Sequence, residues 1–175
     1  MEHAEFLDPV NQLRFDSDLA EKMAESAIWI SPTLQPWTDY PRIGSLTQRR
    51  EEGQFLQEEK QKLAPLEHRL DIMRKMLDYG MKDRLVAGTD SGVSNLAFGH
   101  LDCDFQLLEK IGFSPAETLT SATRISAEAI GMEKMIGTIE IGKKADLAAF
   151  GGDPSKDIGA LSRIAAVFLG GQRVA

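Results

Sequence analysis

Asp90 closes the apolar run Arg84-Leu-Val-Ala-Gly-Thr-Asp90, and an aspartate in that place has two uses. Its carboxylate can ligate a divalent metal and take a proton from an activated water. It can equally cap the turn or helix that follows. Gly88 and Gly92 on either side let the backbone crowd a site here. His3 lies in Met1-Glu-His-Ala-Glu5, ahead of a turn at Asp8-Pro9. An imidazole near a strand end is either a metal ligand or an ordinary surface residue. His100 follows Phe98-Gly99 in the loop beyond Asp90, and either reaches a substrate or faces solvent. His68 falls off the apolar stripe of its helix and is expected at the surface.

The elements that must position these groups alternate between short β-branched runs and amphipathic helices. Asp16-Ser17-Asp18 caps a helix whose Leu19, Met23 and Ala27 share a face. Residues 27–34 read as a strand, and residues 35–44 as a loop. Residues 46–63 form a polar helix interrupted by Gly53, after which Pro65 starts a new helix. Its buried stripe is Leu66, Leu70, Met73 and Leu77, and Gly80 stops it. Residues 85–88 are the second strand. Leu101, Phe105, Leu108 and Ile111 then mark a helix ended by Gly112. Ser114-Pro-Ala-Glu117 starts the next one, with Leu119, Ala122, Ser126 and Ile130 as its stripe.

Composition changes near residue 135. Residues 136–150 read as two short strands around a Gly142-Lys143 turn, residues 164–169 as a third, and without N-terminal partners these strands are expected to be poorly ordered or swapped between chains. Strand and helix alternation is the βα signature of a parallel sheet. Residues 1–134 hold only two or three such units, whereas a closed parallel barrel takes eight. The expected architecture is therefore α/β, a partial (β/α)8 TIM barrel over 1–134, with part of a small β-sandwich over 135–175.

Charge and cysteine usage exclude several classes. Twenty lysines and arginines stand against 27 acids, a net charge of -7, which disfavours nucleic acid as a partner. The lone cysteine, Cys103, allows no internal disulfide and no cysteine-rich zinc site. No apolar stretch reaches the ~20 residues of a membrane span, and the N-terminus has no signal-peptide pattern. A cytoplasmic protein without membrane attachment is expected.

The ordered series Met1-Glu-His-Ala-Glu-Phe-Leu-Asp-Pro9, Ile28-Trp-Ile-Ser-Pro-Thr-Leu34 and Ala87-Gly-Thr-Asp-Ser-Gly92 resembles the amidohydrolase superfamily. The imidazolonepropionase-like and prolidase-like branch is the nearest match. The resemblance continues through residues 113–123, 129–131 and 137–148 to Val167-Phe-Leu-Gly-Gly171, so it covers nearly the whole chain. It implies a metal-dependent hydrolase acting on amide or cyclic amide bonds, with dipeptide-like molecules among its substrates and one or two divalent ions, zinc by preference. It implies that His3 ends the sixth barrel strand as a metal ligand. It also implies that Asp90, after the eighth strand, binds metal and serves as general acid/base.

The same resemblance implies a His-x-His pair, a ligand near the fourth strand and a fifth-strand histidine, none of which this chain carries. The expectation is a C-terminal part that is inactive alone. It would associate with itself as a homo-oligomer, or with the missing N-terminal part. The alternative is a free-standing, non-enzymatic half-barrel used as an interaction module. Residues 35–60 would follow the seventh strand on the active-site face. There Trp37, Tyr40 and Arg42 either cover the substrate, Arg42 pairing a carboxylate, or pack on neighbouring helices.

Overall fold

The computed structural model of the protein describes residues 1–3, 6–10, 12–37, 57–92, 98–99 and 101–175. The first helix, α1 (Ser17–Glu25), starts as its cap requires: Asp16 stays extended and its side chain accepts the Leu19 N–H. Ala20 and Met23 are its buried residues.

The chain then runs into an extended segment whose neighbours on both sides are parallel. Glu2 bridges Ser31, and Ile30 bridges Leu85. Hydrogen bonds secure both contacts. His3 N–H donates to the Ser31 carbonyl at 3.0 Å, and Val86 N–H to the Ile30 carbonyl at 2.9 Å. Residues 28–34 thus lie between the N-terminal segment and residues 85–88, with Ile30 and Leu85 fully buried. The ladder is short, single bridges rather than long strands.

A helix crosses between the second and third of these segments. α2 (Gln57–Asp78) buries Leu66, Leu70, Met73 and Met76. It also corrects the expected break at Pro65, since one helix carries that proline in its interior. Proline removes one i→i−4 hydrogen bond there. Burial of the following apolar stripe outweighs that loss, because tertiary packing routinely overrides local propensity. His68 is exposed, as its place off the stripe suggests.

α3 (Leu101–Ile111) packs beside α2 and buries Phe105, Leu107, Leu108 and Ile111. Gly112, at φ +111°, supplies the left-handed residue that ends it. α4 (Pro115–Thr120) opens with a complete capping box: the Ser114 hydroxyl accepts from Glu117 N–H, and the Glu117 carboxylate takes the Ser114 N–H. A π-helical turn, Ser121–Ile125, leads directly into α5 (Ser126–Ala129).

The buried face of this composite helix is Thr118, Ser121, Ile125 and Ala127, not the expected stripe of Leu119, Ala122, Ser126 and Ile130. Small polar groups can face inward here because partners exist. The Ser121 hydroxyl donates to the Leu85 carbonyl at 2.6 Å. The extra residue of the π turn also shifts the phase of the helix after it.

The tail differs from its expected form. Residues 136–146 make turns, with Lys144 N–H bonded to the Met135 carbonyl, and Ile139 and Ile141 face solvent. A strand needs a neighbour for its backbone groups, and pairing starts only at β1 (Leu147–Phe150). There Leu147 faces Phe168 of the antiparallel β2 (Ile164–Leu169). The turn Gly170-Gly171 returns the chain to β3 (Gln172–Arg173), so the tail strands pair within one chain. Between β1 and β2, Ile158 and Ala160 of the 3-10 turn Ile158–Ser162 are buried, and this turn packs against α3. The result is α/β, with parallel segments among helices and a three-stranded antiparallel sheet at the C-terminus. No helix among the described residues is long and apolar enough to cross a membrane.

Candidate active site

The three parallel segments end side by side, and each contributes one residue in left-handed backbone conformation. His3 has φ 53°, Thr33 φ 43° and Asp90 φ 53°. A non-glycine residue there stores on the order of 1 kcal/mol or more, and such strain gathers where a side chain must be aimed. Ala27, also at φ 53°, lies ahead of the central segment and away from this group.

The aim is toward one cavity of about 390 Å³. Its walls include His3, Ser31, Thr33, Gly88, Asp90 and Ser126. His3 Nδ1 and the Thr33 hydroxyl share a hydrogen bond of 2.5 Å, which leaves Nε2 free to face Asp90. Nε2 and the Asp90 carboxylate oxygen Oδ2 are 3.9 Å apart. Thr33 is almost wholly buried, so it can hold the ring in one orientation. No local motif marks its role; only the pairing of residues 28–34 beside residues 1–3 brings it to His3.

The Asp90 segment is held by its neighbours. Gly88 passes so close to the central segment that a Cβ on it would run into the Ser31 hydroxyl. Gly88→Ala should therefore cost about 1–3 kcal/mol by overpacking. Urea denaturation of the variant measures this, and a cost near zero would mean that Ser31 simply turns away. On the other side, Ser126, Ala129 and Ile130 border the cavity, held there by the π turn.

Asp104 of α3, like Thr33, is a site residue outside the series of motifs along the sequence. It is fully buried, and its Oδ2 accepts the Gly88 N–H at 2.9 Å. Its second oxygen, Oδ1, has no hydrogen-bond partner among the described residues. Burial pushes this carboxyl up to about 7, opposed only by the Gly88 hydrogen bond. The signal was present: position 104 falls on the apolar stripe of Leu101, Phe105, Leu108 and Ile111, where an acid is out of place.

Of the remaining candidates, the structure describes Trp37, which is not brought to the cavity. Trp37 ends the 3-10 turn Gln35–Trp37, and the Arg69 guanidinium of α2 stacks over its ring at 3.3 Å. Trp37 is absent from the residues lining the cavity. Tyr40, Arg42 and His100 lie outside the described residues.

His3 and Asp90 are of the types that bind zinc, an imidazole and a carboxylate. At 3.9 Å they lie close enough to share one ion, somewhat wider apart than the ~3.4 Å of two tetrahedral donors at ~2.1 Å. No group of three histidine, cysteine, aspartate or glutamate side chains placed to hold a metal occurs among the described residues. Among the described residues the chain thus offers two donors where catalytic zinc takes three from protein.

The comparison with known proteins decides the family. The model of the amidohydrolase family matches residues 2–174. The chain belongs to the amidohydrolase family. Within 77 residues it is 38% identical to the imidazolonepropionase of Brevibacillus brevis, a match covering 44% of this chain and 18% of that protein. The imidazolonepropionase of Geobacillus kaustophilus matches over the same length at 35% identity.

Solved amidohydrolases share the fold. A Xaa-Pro dipeptidase with methionine in its active site superposes with a TM-score of 0.72 at 24% identity, covering 99% of this chain and 39% of that one. A crystal structure titled only as an amidohydrolase has a TM-score of 0.67 at 28% identity, over 91% of this chain and 37% of that one. This amidohydrolase chain therefore spans about two fifths of the length of the structures it resembles.

Proposed function

We propose that this chain carries one side of a metal-dependent hydrolase site for amide or cyclic amide C–N bonds, including those of dipeptide-like substrates. One observation carries the reading: the imidazole of His3 and the carboxylate of Asp90 converge at the ends of neighbouring parallel segments. In this reading residues 1–134 form the part of a TIM barrel around strands six to eight. Residues 135–175 belong to a small β-sandwich beside it.

His3 Nε2 and Asp90 would hold the metal, with the Thr33 hydroxyl fixing the ring from Nδ1. A bound divalent ion, zinc by its donor types, supplies Lewis-acid polarisation and an activated water near neutral pH. Asp90 takes the proton of the attacking water on its carboxylate and returns it to the leaving nitrogen. Trp37, Tyr40, Arg42 and His100 belong to the substrate side in this proposal, Arg42 as the partner of a substrate carboxylate.

The imidazolonepropionases and the Xaa-Pro dipeptidase support C–N bond hydrolysis as the reaction class. The two-donor set leads to the second half of the proposal. The site is completed by ligands from outside these 175 residues, in an oligomer or by association with further polypeptide. A second reading, a non-enzymatic half-barrel that serves as an interaction module, draws on the same absence of a third donor among the described residues.

Calorimetric zinc titration separates the two. The hydrolase reading expects the protein to bind zinc. It also expects His3→Ala and Asp90→Asn each to weaken binding by at least the ~10–100-fold that loss of a supporting group costs. Equal affinity in all three proteins favours the interaction module.

A further inference from the structure

We infer that Asp104 is a positioning residue for Asp90, acting through the Gly88 amide. This rests on the hydrolase reading of the cavity. Asp104 comes from α3, an element that contributes no residue to the cavity wall. Its carboxylate nevertheless crosses to the Asp90 segment and takes the Gly88 N–H at 2.9 Å. Gly88 is itself part of the wall, and Asp90 follows two residues later in left-handed backbone.

Three contacts grip this short segment from different sides. The Ser121 hydroxyl holds the Leu85 carbonyl, Val86 N–H reaches the Ile30 carbonyl, and Asp104 holds Gly88. Of these, the Asp104 contact lies nearest in sequence to the strained turn at Asp90. It is also the one made by a charged type of side chain. A neutral acceptor would satisfy one amide at less desolvation cost, and Oδ1 remains without a partner among the described residues. The chain keeps a carboxylate where packing alone would favour an apolar side chain.

Gly88 also runs close to the central segment, where a Cβ on it would meet the Ser31 hydroxyl. Asp104 holds the Gly88 amide, so the Ala87–Gly88 peptide plane is fixed on the α3 side. The turn through Thr89 to the left-handed Asp90 starts from that fixed plane. Loss of the acceptor at position 104 thus acts on the ligand two residues away while the α3 core stays in place.

The test uses the full chain. Calorimetric zinc titration is run on the parent, Asp104→Leu, Asp104→Asn, Asp90→Asn and Leu108→Ala, with hydrogen exchange of the Gly88 amide followed by NMR. Asp104→Leu, of similar volume but without an acceptor, should weaken zinc binding about tenfold and release the Gly88 amide to fast exchange. Asp104→Asn keeps a carbonyl acceptor and should stay within about twofold of the parent, a conservative rescue. Leu108→Ala loosens the same helix and should leave zinc affinity unchanged, which a merely structural role for Asp104 would not allow.

Parental zinc affinity in Asp104→Leu, beside a weakened Asp90→Asn, overturns the positioning role alone. So does equal weakening in Leu108→Ala. Should Asp104→Leu fail to fold, fast exchange of the Gly88 amide in the parent still overturns it. Parental affinity in Asp90→Asn, or no zinc binding by the parent, overturns the hydrolase reading and the positioning role together.

Discussion

Above pH 7 the Asp104→Asn variant should unfold at a higher temperature than the parent, and near pH 4 the two should unfold together. The sign follows from linkage. Asp104 in the folded chain is pushed up to about 7 by burial, whereas in the unfolded chain it ionises near 3.8. Between these values the folded state binds the extra proton, so stability falls as pH rises through the window. Above about 7 the full cost of a buried carboxylate is present, and below 3.8 none of it is. The pKa difference corresponds to roughly 4 kcal/mol, a large share of the ~5–15 kcal/mol that holds a domain together. Asparagine keeps an acceptor for Gly88 without a charge to bury. Thermal unfolding from pH 4 to 8 reads the effect as a gap that widens with pH. A gap of constant size would mean that Asp104 ionises as readily in the folded chain as in the unfolded one.

That carboxylate is retained at a cost to stability. What the Gly88 contact requires is an acceptor at position 104, which asparagine also supplies.

Asp90→Asn is the second large effect. In the assembly that completes the site, this variant should lose about 10²–10⁴-fold in kcat, the range expected for removing a general acid/base. The amide still occupies the same space, so the fold should be unaffected. A substrate panel of Xaa-Pro dipeptides and cyclic amides gives the measurement, with circular dichroism as the control for folding. Loss of activity with parental KM would show that Asp90 acts on the reacting atoms. A rise in KM alone would move it to substrate binding.

The sequence made the local signals readable. The Asp16 cap, the Ser114–Glu117 capping box and the glycine that ends α3 each depend on a few adjacent residues. His3 and Asp90 were legible as strand-end residues, because an apolar run marks the strand and the family resemblance orders the series. What failed depended on distant partners. Pro65 reads as a helix start because proline lacks an N–H, yet buried Leu66, Leu70 and Met73 carry one helix past it.

The tail fails for the same reason in reverse. Residues 136–141 have strand-like composition, but Ile139 and Ile141 face solvent and the segment turns instead. Thr33 and Asp104 were invisible as site residues for a third reason. Neither is near His3 or Asp90 in sequence, and only the packing of segments and α3 brings them together. An acid on the apolar stripe of α3 was the one trace left in the sequence.

Zinc-edge anomalous diffraction from crystals grown with the metal reads the site directly. An anomalous peak is expected in the cavity within ~2.0–2.2 Å of both His3 Nε2 and an Asp90 carboxylate oxygen. This peak should disappear in Asp90→Asn crystals. A peak held by other side chains while His3 and Asp90 stay unligated would contradict the hydrolase reading.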